Sequence, residues 1–265
     1  MHEQHNATGL HISGGQLGYH GKTVCENLNF SVPAGEFTAI IGPNGCGKST
    51  VLKTLARTLR PLSGEVSLNS ENVWNIRPKK FAQHVASLPQ HPISPESLTV
   101  KELVARGRHP YHSLLTRTHP DDAAVIDHAL HATGVAPYAQ RPLTELSGGQ
   151  QQRAWIAMVL AQETDYVLLD EPTSFLDLAH QIELLHLCQD IRAQHRTVVA
   201  VLHDINQAAR YASHLVVMHH GRIVRAGTPN DVLDAELVST VFGIDCVIES
   251  DSQTGSPVVT VKNRQ

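Results

Sequence analysis

The segment Gly42-Pro43-Asn44-Gly45-Cys46-Gly47-Lys48-Ser49 has the pattern GxxxxGK followed by Ser, and an apolar run typical of a β-strand, residues 37–41, leads into it. Small residues let the backbone wrap a polyphosphate, while backbone amides and a helix N-terminus face its negative charge. The pattern predicts that Lys48 reaches the β and γ phosphates, that Ser49 binds Mg²⁺ and that Thr50 lies in the following helix. A Gly-rich turn that binds nothing is the alternative. We therefore predict a phosphate-binding loop at residues 42–49.

A second apolar segment ends in two carboxylates, in the order Tyr166-Val167-Leu168-Leu169-Asp170-Glu171. A buried parallel strand takes this form when its C-terminal end meets a bound nucleotide. Polar turns also follow ordinary strands, so this segment alone does not separate the two interpretations.

A third motif, Leu146-Ser147-Gly148-Gly149-Gln150, precedes a helical pattern carried by Ile156, Val159 and Leu160. A Ser-Gly-Gly element before a helix makes a second anion site. The alternative is a plain helix start with Ser147 as its N-cap and two flexible glycines.

Together these motifs resemble the ATPase subunits of ATP-binding cassette (ABC) transporters, and the resemblance covers nearly the whole chain. Residues 146–150 match the signature sequence of that family, residues 42–49 its Walker A loop and residues 167–171 its Walker B strand, in the family's order. Four further matches are the Q-loop glutamine Gln90, the D-loop residue Asp177, the switch histidine His203, and Tyr19 at the position of an aromatic residue against adenine. Phe175 departs from the small residue that is commonest at its D-loop position, so contacts between subunits are expected to differ there.

The resemblance implies an enzyme that binds ATP and Mg²⁺. Asp170, Ser49 and Gln90 are expected around the metal, and Glu171 is expected to accept the proton of the attacking water. His203 is expected to hydrogen-bond the γ-phosphate. The family also implies a head-to-tail homodimer that encloses two ATP molecules, each on the Walker A loop of one chain. The predicted nucleotide contacts from the signature and D-loop are Ser147, Gly148, Gly149, Gln150 and Asp177.

The expected fold is α/β. By resemblance it is a P-loop NTPase (RecA-like) core with an antiparallel β subdomain and an inserted helical subdomain, all in one ABC ATPase domain spanning residues 1–265. The expected boundaries are residues 1–90 and 153–220 for the core with its β subdomain, 91–152 for the helical subdomain that ends in the signature, and 221–265 for a strand-rich closing segment. The local patterns predict helices at residues 50–59 and near 229–242, and a strand at 65–68.

The composition argues against nucleic acid as a partner and against a membrane-spanning chain. The net charge is -4 and the pI about 6.5, so no broad attraction to nucleic acid or acidic lipid is expected. No stretch approaches the roughly 18 to 20 apolar residues of a membrane span, so a transport pathway must come from other chains. The four cysteines lack a CxxC pair, which favours free thiols, and Cys46 is expected to be reachable by alkylating reagents. The eighteen histidines are dispersed, which favours solvated surface groups over metal ligands.

Three further strings narrow the resemblance to ATPases of iron(III)-siderophore importers. They are Val104-Ala105-Arg106-Gly107-Arg108-His109-Pro110-Tyr111, residues 170–185 and residues 203–212. The implied function is ATP hydrolysis that energises siderophore uptake through a separate membrane permease and, through it, a substrate-binding protein. The chain is then expected to be peripheral, at the cytoplasmic face of the inner membrane, with residues 106–111 near the groove that receives a permease helix. The alternatives are an importer ATPase for haem, cobalamin or another metal chelate, and a soluble ABC ATPase such as an iron–sulfur assembly factor.

Overall fold

The structure, a computed structural model, describes residues 9–92, 98–112 and 119–262, which form both strands and helices. The strands are β1 (Leu10–Tyr19), β2 (Lys22–Ser31), β3 (Phe37–Ile41), β4 (Ser63–Leu68), β5 (Glu71–Asn72), β6 (Val85–Leu88), β7 (Tyr166–Asp170), β8 (Thr197–Val201), β9 (His214–His219), β10 (Arg222–Gly227), β11 (Cys246–Ser250) and β12 (Pro257–Val261). The α-helices are α1 (Lys48–Leu55), α2 (Pro78–His84), α3 (Val100–Arg106), α4 (Asp122–Ala132), α5 (Gly148–Ala161), α6 (Leu178–Ala193), α7 (Ile205–Tyr211), α8 (Pro229–Val232) and α9 (Ala235–Phe242).

The central sheet has the strand order β10-β9-β3-β8-β7-β6. Its strands from β9 to β6 are parallel, and β10 pairs antiparallel with β9 at the edge. Every residue of β3, β7 and β8 is buried, as expected for strands covered on both faces. Because parallel strands point the same way, the segments that follow β3, β8, β7 and β6 lie side by side at one edge of the sheet.

A second, antiparallel sheet has the order β2-β1-β4-β5 and covers one face of the central sheet together with α1. Ile40 and Leu168 point into this core, whereas their neighbours Ile41 and Leu169 point into a second core on the other face. The predicted α/β class with an antiparallel β part is therefore confirmed.

Helices α3, α4 and α5 occur in the sequence between β6 and β7, and they pack on one another and on the second core. Helix α5 also contacts β6, so the start of α5, which carries the signature, is held to the central sheet through the same helix. Residues 93–97 and 113–118 of the predicted helical subdomain lie outside the described residues.

The C-terminal hairpin of β11 and β12 packs on α7. The Asn206 side chain donates to Val259 O at 3.2 Å and accepts from Val259 N at 2.8 Å, and Arg210 pairs with Asp251 at 2.8 Å. These bonds join the C-terminal hairpin to both ends of α7, which begins two residues after His203.

Two predicted helices differ from those in the structure. The helix predicted at residues 50–59 is α1, which begins at Lys48 and ends at Leu55, because Arg57 turns into the left-handed region with φ 59°. The helix predicted near residues 229–242 is divided into α8 and α9. Asp234, extended at φ -132°, accepts from Leu237 N and so starts a new helix.

Candidate nucleotide site

The phosphate loop connects β3 to α1, and glycine backbone geometry shapes it. Gly42, Gly45 and Gly47 have φ angles of 150°, 78° and 108°, which glycine adopts without strain. A Cβ at Gly42 would lie 2.2 Å from Met218 O, and one at Gly47 would lie 2.6 Å from Cys25 Sγ. At Gly45 a Cβ would meet nothing within 4 Å. The loop is therefore packed against β2 and β9 and open at Gly45.

Positive charge is concentrated at this loop. Lys48 is buried, and its Nζ donates to Gly42 O at 2.8 Å and to Pro43 O at 3.0 Å. Helix α1 begins with Gly47 as its N-cap, so no side chain accepts hydrogen bonds from its first amides, while Thr50 is buried inside the helix. An ammonium group and uncapped helix amides at one loop suit a polyphosphate.

Ser49 and Asp170 offer oxygen ligands for a cation beside the loop. Ser49 Oγ donates to Asp170 Oδ1 at 2.7 Å. The second oxygen, Asp170 Oδ2, is buried and has no hydrogen-bond partner in the part of the chain that the structure describes. Burial raises the pKa of Asp170, although the hydrogen bond from Ser49 opposes the rise. A hydroxyl and a carboxylate with a spare buried oxygen fit Mg²⁺, which binds few protein oxygens together with phosphate oxygens.

Glu171 lies at the centre of a polar cluster beyond β6, β7 and β8. Its Oε2 accepts from Gln90 Nε2 at 2.5 Å and pairs with His203 Nε2 at 2.8 Å. Ser174 Oγ donates to the same oxygen at 3.5 Å. The φ of Glu171 is 52°, an uncommon left-handed value that is found mostly where the surrounding structure imposes it. The three predicted catalytic residues therefore meet at one carboxylate oxygen.

The signature turn is built differently from the phosphate loop. Ser147 is the N-cap of α5: its Oγ accepts from Gln150 N at 3.3 Å, and Gln150 Oε1 accepts from Ser147 N at 3.0 Å. A Cβ at Gly148 would meet nothing within 4 Å, whereas one at Gly149 would lie 3.4 Å from Leu176 Cδ2. No hydrogen bond between described residues joins this turn to the phosphate loop of the same chain. Ser147 is therefore the N-cap of a regular helix start, as the alternative interpretation predicted. Gly148 is exposed, which leaves the turn open to a second molecule.

The D-loop follows the Glu171 cluster and ends at α6. Asp177 is the N-cap of α6, where Oδ1 accepts from His180 N at 3.0 Å and from His180 Nδ1 at 2.6 Å. Phe175, with φ 65°, is 72% exposed, and Leu178 is 66% exposed. The ring of Phe175 has His91 as its neighbour at 6.0 Å between centroids. Two large apolar side chains exposed within four consecutive residues are consistent with an interaction surface.

Tyr19 lies at the end of β1 and is 38% exposed. The hairpin that carries it packs its second strand on the phosphate loop through Val24 and Cys25. Cys46, expected to be reachable by alkylating reagents, is instead buried, because the loop packs against β2 and β9. It is 5% exposed, and burial raises the pKa of its thiol even though Lys48 opposes that rise.

Arg108, expected near a permease groove, lies inside the protein. Its Nε donates to Asp122 Oδ1 at 2.9 Å, and its NH1 donates to Glu163 Oε2 and to Ala161 O, both at 2.8 Å. His112 Nε2 lies 2.7 Å from Asp122 Oδ2. Burial on its own would raise the pKa of Asp122, but hydrogen bonds from the His119 amide, Arg108 and His112 outweigh it and lower the pKa to about 2. Arg108 is therefore an internal structural residue and is not free to contact a permease.

Sequence reasoning missed two polar residues beside the D-loop, Gln181 and Gln207. Gln181 Nε2 donates to Leu176 O at 3.0 Å and to Thr173 O at 3.3 Å, and its Oε1 accepts from Gln207 Nε2 at 3.0 Å. Both glutamines fall within the strings that carry the subfamily resemblance, which is the sequence signal that could have identified them.

Over the described ranges, no three His, Cys, Asp or Glu side chains cluster as a metal site would require. In the same ranges, no helix combines the length and apolar character that crossing a bilayer demands.

Comparison with known proteins shows the family to which the chain is related. A sequence profile of the ABC transporter family matches residues 25–174. The chain is 49% identical to the ferric enterobactin transport ATP-binding protein FepC of Escherichia coli (strain K12), over 94% of this chain and 92% of that protein. It is 46% identical to the iron(3+)-hydroxamate import ATP-binding protein FhuC of Bacillus subtilis (strain 168), over 91% and 90% of the two chains.

Among solved structures, the dimeric structure of MJ0796, a bacterial ABC transporter cassette, superposes with a TM-score of 0.74 at 25% identity. The match covers 83% of this chain and 98% of that chain.

Proposed function

Since this chain belongs to the ABC transporter family, we propose that it is the subunit that binds and hydrolyses ATP for an importer of an iron(III)-siderophore complex. The observation that carries the enzymatic part is the convergence of Gln90 and His203 on Glu171 Oε2, next to the Ser49–Asp170 pair. The assignment of a siderophore as the transported compound is supported by the names of the two relatives above, one for ferric enterobactin transport and one for iron(3+)-hydroxamate import.

In this proposal each site residue has a role that its surroundings allow. Lys48 leaves its loop carbonyls to offset phosphate charge, and Glu171 accepts the proton of the attacking water. Gln90 and His203 hold the Glu171 carboxylate in place, and His203 also hydrogen-bonds the γ-phosphate. Ser49, Asp170 and Gln90 would hold Mg²⁺, which when bound neutralises charge on the phosphates.

We further infer that two copies enclose the nucleotides. Tyr19 and residues 42–50 of one copy bind ATP, and the signature and D-loop of the second copy cover it with Ser147, Gly148, Gly149, Gln150 and Asp177. The exposed Gly148, Phe175 and Leu178 support this arrangement, because they lie on the segments that would face the partner. ATP stabilises such a dimer more than ADP, since only ATP offers the γ-phosphate to the signature.

The partners follow from the importer function. Membrane permease subunits supply the pathway, and a substrate-binding protein delivers the chelate to them. The chain would then work as a peripheral protein at the cytoplasmic face of the inner membrane. We also propose that the domain divides into a core (residues 1–90 and 153–220), a helical subdomain (91–152) and a closing segment (221–265).

The test is the Glu171→Gln variant, which keeps the shape of the side chain and removes its basicity. Steady-state ATP hydrolysis should fall roughly 10²- to 10⁴-fold while ATP still binds. Glu183→Gln, an exposed carboxylate on α6, is the matched control and should hydrolyse ATP at the wild-type rate. Near-normal turnover by Glu171→Gln contradicts the assignment.

A second readout tests transport. Pull-down of Glu171→Gln with ATP from detergent-solubilised membranes should recover a multi-span permease, and cells that express the variant should lose ferric siderophore uptake. Recovery of soluble iron–sulfur assembly partners alone would leave the ATPase chemistry standing and contradict the importer.

A further inference from the structure

A continuous set of hydrogen bonds connects the D-loop to the helix that follows the switch histidine. On one side, the Gln181 amide nitrogen bonds two carbonyls of the D-loop, Thr173 O and Leu176 O. On the other side, Gln181 Oε1 accepts from Gln207 Nε2 at 3.0 Å. All of these distances are within hydrogen-bonding range, and both glutamines are half-buried.

The chemistry of the partners fixes the orientation of both amides. Carbonyl oxygens only accept, so the Gln181 group that faces Thr173 and Leu176 must be its NH₂. Its oxygen therefore faces Gln207, which must present its own NH₂. Only one orientation of the two side-chain amides satisfies all of these hydrogen bonds. In that orientation the Gln207 NH₂ donates to the Gln181 oxygen, which leaves the Gln181 NH₂ facing the D-loop.

The D-loop needs this external support because it makes few hydrogen bonds of its own. Phe175 is in the left-handed region at φ 65° and is largely exposed, and the Leu176 N to Thr173 O bond across the turn is long, at 3.4 Å. A strained turn persists only where its surroundings hold it. Gln181 bridges both ends of this turn.

Gln207 is in turn fixed to the segment of the switch histidine. Its backbone amide donates to Asp204 Oδ1 at 2.8 Å, and Asp204 directly follows His203. The neighbouring residue, Asn206, is held at both ends of its amide by Val259 of the C-terminal hairpin. The donor that orients Gln181 is therefore joined by a hydrogen bond to the residue next to His203.

We propose that Gln181 and Gln207 are positioning residues that couple the D-loop to the His203 segment. The proposal rests on the function given above for Glu171, His203 and Asp177. When His203 changes its partner between Glu171 and a phosphate, the first turn of α7 carries the change through Gln207 to Gln181 and so to residues 173–176. The D-loop, which faces the second copy of the chain, thereby responds to the state of its own nucleotide site.

The experiment compares two glutamines that bridge α6 and α7. Gln207→Glu and Gln207→Leu both remove the donor to Gln181, and in Gln207→Glu the carboxylate faces the Gln181 oxygen. Gln189→Glu and Gln189→Leu are the matched controls, because Gln189 Nε2 bonds Tyr211 O at 3.1 Å between the same helices but away from the D-loop. For both Gln207 variants of the full-length chain we expect kcat for ATP to fall roughly tenfold with KM within about twofold. The Gln189 variants should keep wild-type kcat.

Two further measurements separate positioning from general stability. Urea unfolding should shift to a similar extent in the Gln207 and Gln189 variants, since each loses one half-buried hydrogen bond. The double variant Gln181→Leu/Gln207→Leu should be no slower than the slower single variant, because both changes interrupt the same connection. Wild-type kcat in both Gln207 variants, an equal loss in the Gln189 variants, or losses that multiply in the double variant would each overturn the proposal. If Glu171→Gln is fully active in the same assay, the underlying function fails instead.

Discussion

The phosphate loop and the signature turn are both glycine-rich helix starts, yet they treat their hydrogen-bonding groups in opposite ways. At the phosphate loop, Gly47 leaves the first amides of α1 without a side-chain acceptor. At the signature, Ser147 and Gln150 satisfy each other's backbone amides in a capping box. The first start therefore keeps donors available for a ligand, whereas the second is a complete helix start that presents an exposed surface.

The same contrast extends to the carboxylates of the two regions. Asp170, in the core, has a buried oxygen without a partner in the described residues, and burial raises its pKa. Asp122, in the helical part, accepts from Arg108, His112 and the His119 amide, which together lower its pKa. Unpaired buried groups cost stability and are kept mainly where a ligand uses them. The contrast thus identifies the core, and not the helical part, as the region prepared for a charged ligand.

The largest effect is expected from adding one methyl group to each glycine-rich start. Gly47→Ala should lower the free energy of unfolding by about 3 kcal/mol, because φ 108° is strained for alanine and the new Cβ would lie 2.6 Å from Cys25 Sγ. Gly148→Ala should change it by less than about 1 kcal/mol, since nothing lies within 4 Å of the new Cβ. Urea unfolding of both variants checks the difference. Equal losses would show that the signature turn is as tightly constrained as the phosphate loop.

The next effect concerns ATP affinity. Lys48→Ala removes the ammonium that is proposed to offset phosphate charge and should weaken binding of a non-hydrolysable ATP analogue by roughly 100-fold, about 2.7 kcal/mol. Ser147→Ala should leave binding to the isolated chain within about twofold, because in the proposed dimer the signature contacts the nucleotide of the other copy, while the lost cap lowers stability by about 1 kcal/mol. Equilibrium titration below the concentration at which the chain dimerises distinguishes the two. A large loss of affinity in Ser147→Ala would place the signature at its own chain's nucleotide.

Local patterns were sufficient for the elements that surround the site. The apolar run before Gly42 is β3 at the predicted residues, and the carboxylates after β7 lie where a parallel strand ends, because these features depend on hydrophobic burial along a few consecutive residues. The strand order then brings Gln90 and His203 to Glu171, although more than thirty residues separate each from it in the sequence. That part of the site came from the family resemblance and not from periodicity.

The remaining features depend on tertiary pairing that no local pattern encodes. Arg108 has the sequence context of a surface residue, but Asp122 and Glu163 compensate its charge in the interior. Cys46 lies in a loop that attracts anions, yet packing of that loop on the sheet buries its thiol. Gln181 and Gln207 are 26 residues apart and become a pair only when α6 and α7 pack together. Such pairs form only when distant segments pack together, so local periodicity does not predict them, and only the family strings that contain both glutamines could have pointed to them.

The smallest expected effect is on the free energy of unfolding when a carboxylate is neutralised, and it has opposite signs in the helical part and in the core. Asp122→Asn should lower the free energy of unfolding at pH 7 by about 2 kcal/mol, because it removes a carboxylate that buried Arg108 and its neighbours stabilise. Asp170→Asn should raise it by about 1 kcal/mol in the nucleotide-free chain, because it removes a buried charge with a spare oxygen, while ATP hydrolysis is lost.

Measuring the stability of these two variants as a function of pH distinguishes the two carboxylates most clearly. The folded-state pKa of Asp122 is about 2, below its unfolded value, so its contribution is present above about pH 4 and is lost as the pH falls towards 2. The folded-state pKa of Asp170 is raised, so its protonated form favours folding at low pH and that contribution is lost as the pH rises through the folded-state value. In urea unfolding from pH 7 downwards, both variants should therefore converge on the wild type, Asp122→Asn from below and Asp170→Asn from above. If Asp170→Asn is less stable than the wild type at pH 7, then Asp170 is a paired structural residue like Asp122, and the core holds no unpaired carboxylate for a cation.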